Sequence, residues 1–338
     1  MSIRRSLVTG GGGFIGLHLV QQLHERGDEV RVLELPGVPL PSYVEAVRGS
    51  VCDADVVKNA LKGVQRIYHL AANPNLWAHD KNDFRRVNYE GTCMMLKEAQ
   101  KCDLEVFVHT STESIFVGKS RWETGAEVIT RRPIHKLPGP YSRSKFLAEQ
   151  AAVEAVENGM PVVIVAPALP VGPGDRRVTP PTRMILDFIN TRPPAYLECG
   201  FNLIDVRDVA AGHILAAEHG RSGDRYILGN KNLMLSELLR MIEEITGLAM
   251  PKIRIPYWAA LAAGAFSEFI ADYVTRNQPR APLTGVRLAR YPLYFDSEKA
   301  IQELGLPQNS VYQALADEIE WLCDEGLITR RLPMQQRV

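Results

Sequence analysis

No charge of one sign is in excess along this chain: 39 Lys and Arg stand against 39 Asp and Glu in 338 residues, a formal net charge of +0. A basic stripe that would advertise nucleic acid is missing, and so is the block of like charge that marks a disordered tail. Cysteine is scarce. The five (Cys52, Cys93, Cys102, Cys199, Cys323) are scattered and odd in number, with neither zinc-ligand spacing nor a disulfide framework. The first residues run straight into an apolar strand without a signal-peptide core, so a reducing cytoplasm is the expected setting. No apolar run is long and clean enough for a transmembrane segment, and no solenoid repeat recurs. What remains is ordinary globular composition, 46% hydrophobic and 23% charged, at a length that suits two lobes around a cleft.

Apolar runs alternate with helical patterns from the start. Strands are expected at 7–9, 29–33, 66–71, 105–110 and 162–166, with helices after the first of these through Arg26, at about 80–101 and at about 141–157. Continuous apolar strands between helices imply a parallel sheet covered on both faces, a Rossmann-type doubly wound α/β fold. The stretch 167–175 is rich in proline and glycine and reads as a loop leaving that sheet. Later pieces are shorter and mixed: helices near 181–190 and 208–218, a strand near 202–206, and several C-terminal helices. The expected division is a dinucleotide-binding domain over 1–166 and a smaller mixed α/β substrate lobe over 167–338, with the chain crossing between lobes near 201–230.

Gly10, Gly13 and Gly16 follow the first strand and open a helix, with Phe14 and Ile15 between the last two. Absent side chains let backbone amides approach a pyrophosphate, which a helix N-terminus favours electrostatically. A plain glycine turn is the alternative. Glu34 ends the second strand where an acid grips the adenosine ribose and repels a 2′-phosphate, and the next residue is Leu35 rather than arginine. NAD is therefore expected over NADP. Asp53 is a candidate contact to the adenine amino group, or else the N-cap of a helix over 55–61.

Tyr141 and Lys145 stand four apart at the start of a helix that follows proline and glycine, so both lie on one face. A free phenol, with a pKa near 10, is a weak base at neutral pH. A nearby ammonium and the positive charge of an oxidised nicotinamide favour the phenolate, and the lysine can hold the nicotinamide ribose. A hydroxyl that hydrogen-bonds the substrate oxygen is expected at the end of the preceding strand; Thr112 is the choice and Ser111 the second.

Taken together, TGGGGFIG at 9–16, HLAAN at 69–73, VNYEGT at 87–92, HTSTES at 109–114 and YSRSK at 141–145 resemble the extended short-chain dehydrogenase/reductase family in order and spacing. The resemblance covers nearly the whole chain. Within the family it is most similar to the branch of dihydroflavonol 4-reductase-like proteins and hopanoid-associated sugar epimerases, through VGPGD at 171–175, DVRDVAAGH at 205–213, RYILGN at 225–230 and YFDSEKA at 294–300. The resemblance implies Tyr141 as acid/base, Lys145 as ribose holder, Thr112 at the serine/threonine position, and cofactor contacts near Leu70, Ala71, Ala72, Asn88 and Pro167. It also implies a homodimer through the helices near 80–101 and 141–157. Asn88 has another reading, as a buried amide that ties neighbouring backbone. Three departures weigh against nucleotide-sugar chemistry: an extra residue between the catalytic hydroxyl and the glycine that follows it, Ala166 where many sugar-nucleotide members carry asparagine, and no late arginine motif to clamp a diphosphate. Only Glu113 matches the acids of the sugar dehydratases.

Candidate substrate contacts are Asn73, Trp77, Glu113, His135 and Phe201. For Trp77, His135, Phe201 and neighbouring Phe116, all placed on loops, packing is the alternative. The stretch 256–274 is unusually apolar, and Ser267, Glu268 and Asp272 interrupt it. It is expected as a buried helix of the small lobe, with a lid over a hydrophobic substrate or peripheral contact with a membrane as the functional readings. The function expected is hydride transfer between the nicotinamide and a carbonyl or alcohol carbon of a small, apolar substrate. An NAD-retaining epimerase using the same residues is the alternative, a dehydratase a weaker one, and a dinucleotide-sensing partner protein the nonenzymatic one.

Overall fold

The computed structural model describes residues 4–116, 134–279 and 281–333. Strands β1 (Arg5–Thr9), β2 (Glu29–Glu34), β3 (Glu45–Arg48), β4 (Arg66–His69), β5 (Val106–Thr110) and β6 (Val162–Pro167) form in succession. Every residue of β4, β5 and β6 is buried, which is why these strands read as unbroken runs rather than alternating ones. Between them lie α1 (Phe14–Glu25), α2 (Ala54–Ala60), α3 (Asn82–Phe84), α4 (Gly91–Ala99) and α5 (Pro140–Glu157). A π-helical stretch, Arg85–Glu90, joins α3 to α4, so the long helix expected there is continuous but widened in the middle. Pro140 sits in the first turn of α5, where its missing N–H costs nothing.

The second half contributes β7 (Leu169–Val171), α6 (Pro180–Thr191), β8 (Ala195–Tyr196), β9 (Gly200–Asp205), α7 (Val206–His219), β10 (Arg225–Leu228), β11 (Lys231–Met234), α8 (Leu235–Thr246), β12 (Ile253–Arg254), α9 (Tyr257–Ile270), α10 (Leu283–Leu288) and α11 (Val311–Asp324). The main sheet has seven strands in the order β10-β6-β5-β4-β1-β2-β3, all parallel. The order reverses between β1 and β4, the crevice where such sheets bind ligands at the carboxyl ends of their strands. From the second half, β10 extends this sheet at one edge and α7 packs against α1.

One face of the sheet is covered by α1 and α7 through Leu19, Val20, Val209 and Ile214, and the other by α2, α4 and α5 through Val57, Met95 and Ala152. Each large side chain buried this way contributes roughly 1.5–3 kcal/mol. A separate core unites α6, α8 and α11 around Ile189, Leu238, Ile242 and Leu315, beneath the three-stranded sheet β11-β9-β7.

Glu318 of α11 lies in this second core, where its carboxylate accepts from the Gly172 amide at 3.0 Å. Burial first, and Asp175 last, push its pKa up from 4.5 to about 8; the Gly172 hydrogen bond pulls the other way. The folded state thus keeps a proton that the unfolded chain releases, so stability falls as the pH rises from about 4.5 to about 8. Glu318→Gln keeps an acceptor for Gly172 without the charge. We expect its melting temperature to rise relative to the parent near pH 8.5 and to match it near pH 5; parallel curves across that range would contradict this.

The apolar segment departs from expectation. Helix α9 buries only Ala260 and Gly264, and the π-helical turn that extends it, Ala271–Thr275, buries only Ala271. Trp258, Phe266, Phe269 and Tyr273 are exposed. The small residues suffice for the contact with α10, where an added Cβ on Gly264 would lie 3.1 Å from Val286.

Candidate active site

A cleft of about 1130 Å³ runs from the glycine loop, past the N-terminus of α5, to the second lobe. At its sheet end, Gly10 adopts φ +73°, and an added Cβ would stand 3.0 Å from the Ala71 backbone. Gly16 is more constrained: its Cβ would fall 2.2 Å from the Gly10 carbonyl oxygen. No side chain caps α1, and the first helical hydrogen bond, from the Leu17 amide to the Gly13 carbonyl, is 2.9 Å. The amides of Phe14, Ile15 and Gly16 therefore form an uncapped helix N-terminus, the donor set a pyrophosphate needs. Glu34 reaches back from the end of β2, accepting from the Gly12 amide at 3.0 Å and the Leu35 amide at 3.0 Å. Arg177, from the loop after β7, pairs with it at 3.1 Å.

A chain of hydrogen bonds links this cradle to α5. The Ala71 amide donates to the Thr9 hydroxyl at 3.1 Å, and Thr9 contacts His69 Nδ1 at 2.8 Å. His69 Nε2 meets the Thr92 hydroxyl at 2.9 Å, and that hydroxyl donates to the Asn88 carbonyl at 2.7 Å. These directions leave His69 neutral with its proton on Nε2, in keeping with a pKa pushed down to about 3 by burial and then by Lys145. Asn88 accepts from the Asn73 amide at 2.7 Å and donates to Ser144 at 3.0 Å, and Ser144 donates to the Tyr141 carbonyl at 2.7 Å. Asn88 and Asn73 thus tie backbone behind the cleft and do not line it.

Tyr141, Lys145, Thr112, Ser111 and Glu113 all line the cleft. Lys145 donates to the Thr110 carbonyl, and burial pulls its pKa down to about 8 despite Glu149 one turn on. Burial, then Glu113, raises the Tyr141 phenol, while a hydrogen bond with Thr112 lowers it. Glu113 is itself raised to about 7, chiefly by burial. Ser111 donates to Glu149 at 2.5 Å, and Glu149 is also paired with Arg225. Thr112 donates to Glu113 at 3.1 Å and accepts from the Ser114 amide at 3.3 Å. Both candidate hydroxyls thus donate to a carboxylate, Ser111 to Glu149 and Thr112 to Glu113, and they differ in that Thr112 also bonds the phenol.

Residues 6–229 match the family described as NAD dependent epimerase/dehydratase. The chain belongs to that family. A protein named putative dihydroflavonol 4-reductase from Synechocystis is 40% identical over 95% of this chain and 95% of its own length. Sterol demethylase protein B of Methylococcus capsulatus is 32% identical over 96% and 99%. The crystal structure of gox2253 superposes with a TM-score of 0.84 at 33% identity, covering 96% of this chain and 99% of its own. The NAD implied by membership of the NAD-dependent epimerase/dehydratase family suits the Gly10–Gly16 cradle described above, which side chains at Gly10 or Gly16 would close.

Leu70, Ala71, Ala72 and Pro167 line the cleft at the strand ends. Asp53 does not; its carboxylate accepts from the amides of Asp55 and Val56 and caps α2. Trp77 donates to Asp272 at 2.7 Å, anchoring the end of α9 outside the cleft. His135 is exposed on the short turn Ile134–Lys136 and does not line it. Phe201 does line it, from strand β9 rather than a loop, while Phe116 is buried beneath Arg225. The glycine after the candidate hydroxyls, Gly118, lies outside the described residues. Arg177, Arg183 and Arg192 line the cleft without having been anticipated. The paired arginines at 176 and 177 directly after VGPGD were the available signal.

Proposed function

We propose that this protein is an NAD-exchanging carbonyl/alcohol oxidoreductase acting on a small, largely apolar substrate. The observation that carries this is the cleft beyond Tyr141, where Leu169, Met184, Phe188, Leu197, Phe201 and Leu293 form the walls. The names of two relatives, 40% and 32% identical, putative dihydroflavonol 4-reductase and sterol demethylase protein B, support an apolar substrate. NAD held on the glycine cradle supplies or accepts the hydride. In reduction, the Tyr141 phenol donates its proton to the substrate oxygen while the Thr112 hydroxyl orients that oxygen. In oxidation, the same phenol must be ionised, and the Lys145 ammonium favours that form. The test is a screen of apolar ketones with NADH, read by NADH absorbance; ketone-dependent NADH loss is expected, and none across the screen would overturn the reading.

The Thr112 assignment has its own check. Thr112→Ala should lower kcat by about 10–100-fold, within the range of a lost oxyanion donor. Ser111→Ala should leave kcat within about threefold and lower the melting temperature, because it strands the buried Glu149 oxygen. The opposite ranking would move the role to Ser111.

Glu34 sets the preference for NAD. Glu34→Gln removes the charge that repels a 2′-phosphate and leaves Arg177 to attract one. Relative affinity should move toward NADP by about tenfold, or 1.4 kcal/mol, by calorimetry. An unchanged ratio would take this role from Glu34.

An epimerase is the second reading, and one observation favours it: Arg183 and Arg192 line the substrate end of the cleft and suit an anionic group.

A further inference from the structure

Helix α9 and its π-helical extension turn an aromatic face to solvent. Trp258, Phe266, Phe269 and Tyr273 recur at helical spacing, are between 58% and 76% exposed, and are joined by Val274 at 70%. The two acids of this segment face the other way. Glu268 accepts from the Leu283 amide at 2.9 Å and pairs with Lys81 at 3.5 Å, and Asp272 holds Trp77 and Lys81. Basic residues stand at the C-terminal end of this face and on the neighbouring α10. Arg276 is exposed where the chain turns left-handed at φ 55°, and Arg287 and Arg290 are exposed on and after α10, with the Arg290 guanidinium 5.8 Å from the Tyr257 ring.

We propose that this face seats the protein on a lipid bilayer that contains acidic headgroups. At 14 residues, α9 is too short to span a membrane but suits a helix lying in the interface. Tryptophan and tyrosine near its two ends are the side chains that settle between headgroups and acyl chains. A contiguous exposed apolar face needs a partner, and these basic residues select which. A second copy meeting this face across a two-fold axis would set Arg276, Arg287 and Arg290 against the same cations. An anionic lipid surface neutralises them instead.

The position of the face connects it to the cleft. Gly264 of α9 packs on Val286 of α10, and Gly285, Val286 and Pro282 line the cleft on their other side. Gln278 and Pro279, a few residues past the aromatic face, also line it. The layer formed by α9 and α10 thus stands between bilayer and cleft, placing an apolar substrate dissolved in lipid next to the site. The surface contact itself does not depend on the reaction proposed above.

Flotation of the whole protein with vesicles tests it. The parent should float with vesicles of phosphatidylcholine and phosphatidylglycerol, less with phosphatidylcholine alone, and less as salt rises. Phe266→Ser with Phe269→Ser should lower the vesicle-bound fraction by at least about tenfold, since two aromatic anchors are lost. Its melting temperature and its activity on a water-soluble carbonyl should stay those of the parent. The proposal is overturned if the parent does not float or if the variant floats equally well. It is also overturned if the parent sediments as a dimer and the variant as a monomer, which would give the face to a second copy. Absence of carbonyl turnover in both proteins alongside normal flotation would count against the oxidoreductase reading alone.

Discussion

Tyr141→Phe should lower kcat by about 10³-fold while NAD affinity stays within about threefold of the parent. The substitution keeps the ring that fills the space at the start of α5 and removes only the oxygen beside Thr112. Burial, with Glu113 second, holds the phenol above its ordinary pKa. At neutral pH the cofactor-free site therefore presents a proton donor, the form that carbonyl reduction consumes. Nothing in the glycine cradle touches the phenol, so binding and turnover should separate in this variant. The parent's reduction rate should fall as the pH rises through about 8, because Lys145, lowered to that value by burial, then loses the charge that supports the phenol's cycle. Stopped-flow or steady-state kinetics beside calorimetry check both halves. Parental kcat in the Tyr141→Phe variant would remove Tyr141 from the chemistry.

Gly16→Ala should weaken NAD binding by at least about 100-fold and destabilise the fold by roughly 1–3 kcal/mol. The neighbours of the new methyl are backbone atoms: the Gly10 carbonyl oxygen at 2.2 Å and Gly11 Cα at 2.8 Å. Backbone cannot step aside as a flexible side chain can, so the turn itself must move. Gly10 packs against Ala71 and its amide is bonded to the Leu33 carbonyl at 2.9 Å, so the shift spreads to β2 and β4. Thermal unfolding with and without NAD separates the two effects. If Gly16→Ala were stabilised by NAD as strongly as the parent, the cradle would be in the wrong place.

The parts legible in the sequence are those whose cause is local. Continuous apolar strands such as 162–166 announce burial on both faces, and four consecutive glycines between a strand and a helix announce a turn without side chains. Tyr141 and Lys145 share a face because four residues make about one helical turn. What escaped reading depends on tertiary partners. Arg177 meets Glu34 across 143 positions of chain, so no window contains both. For Asn88 the sequence left two readings open, and only the fold brings Asn73 and Ser144 to its amide. The outward face of α9 was illegible for a different reason. A helix with only Ser267 and Glu268 as polar residues carries little mark of which side is covered, and alanines and one glycine proved enough for the buried one.

In the proposed oxidoreductase cycle NAD leaves and returns with each turnover. The most direct measurement is to purify the protein without added cofactor, denature it, and identify any released dinucleotide by mass spectrometry, with exchange against isotopically labelled NAD run beside it. Substoichiometric release and rapid exchange of whatever NAD is bound are expected. Near-stoichiometric NAD that does not exchange would contradict it and would identify a cofactor kept through the cycle, as an epimerase requires.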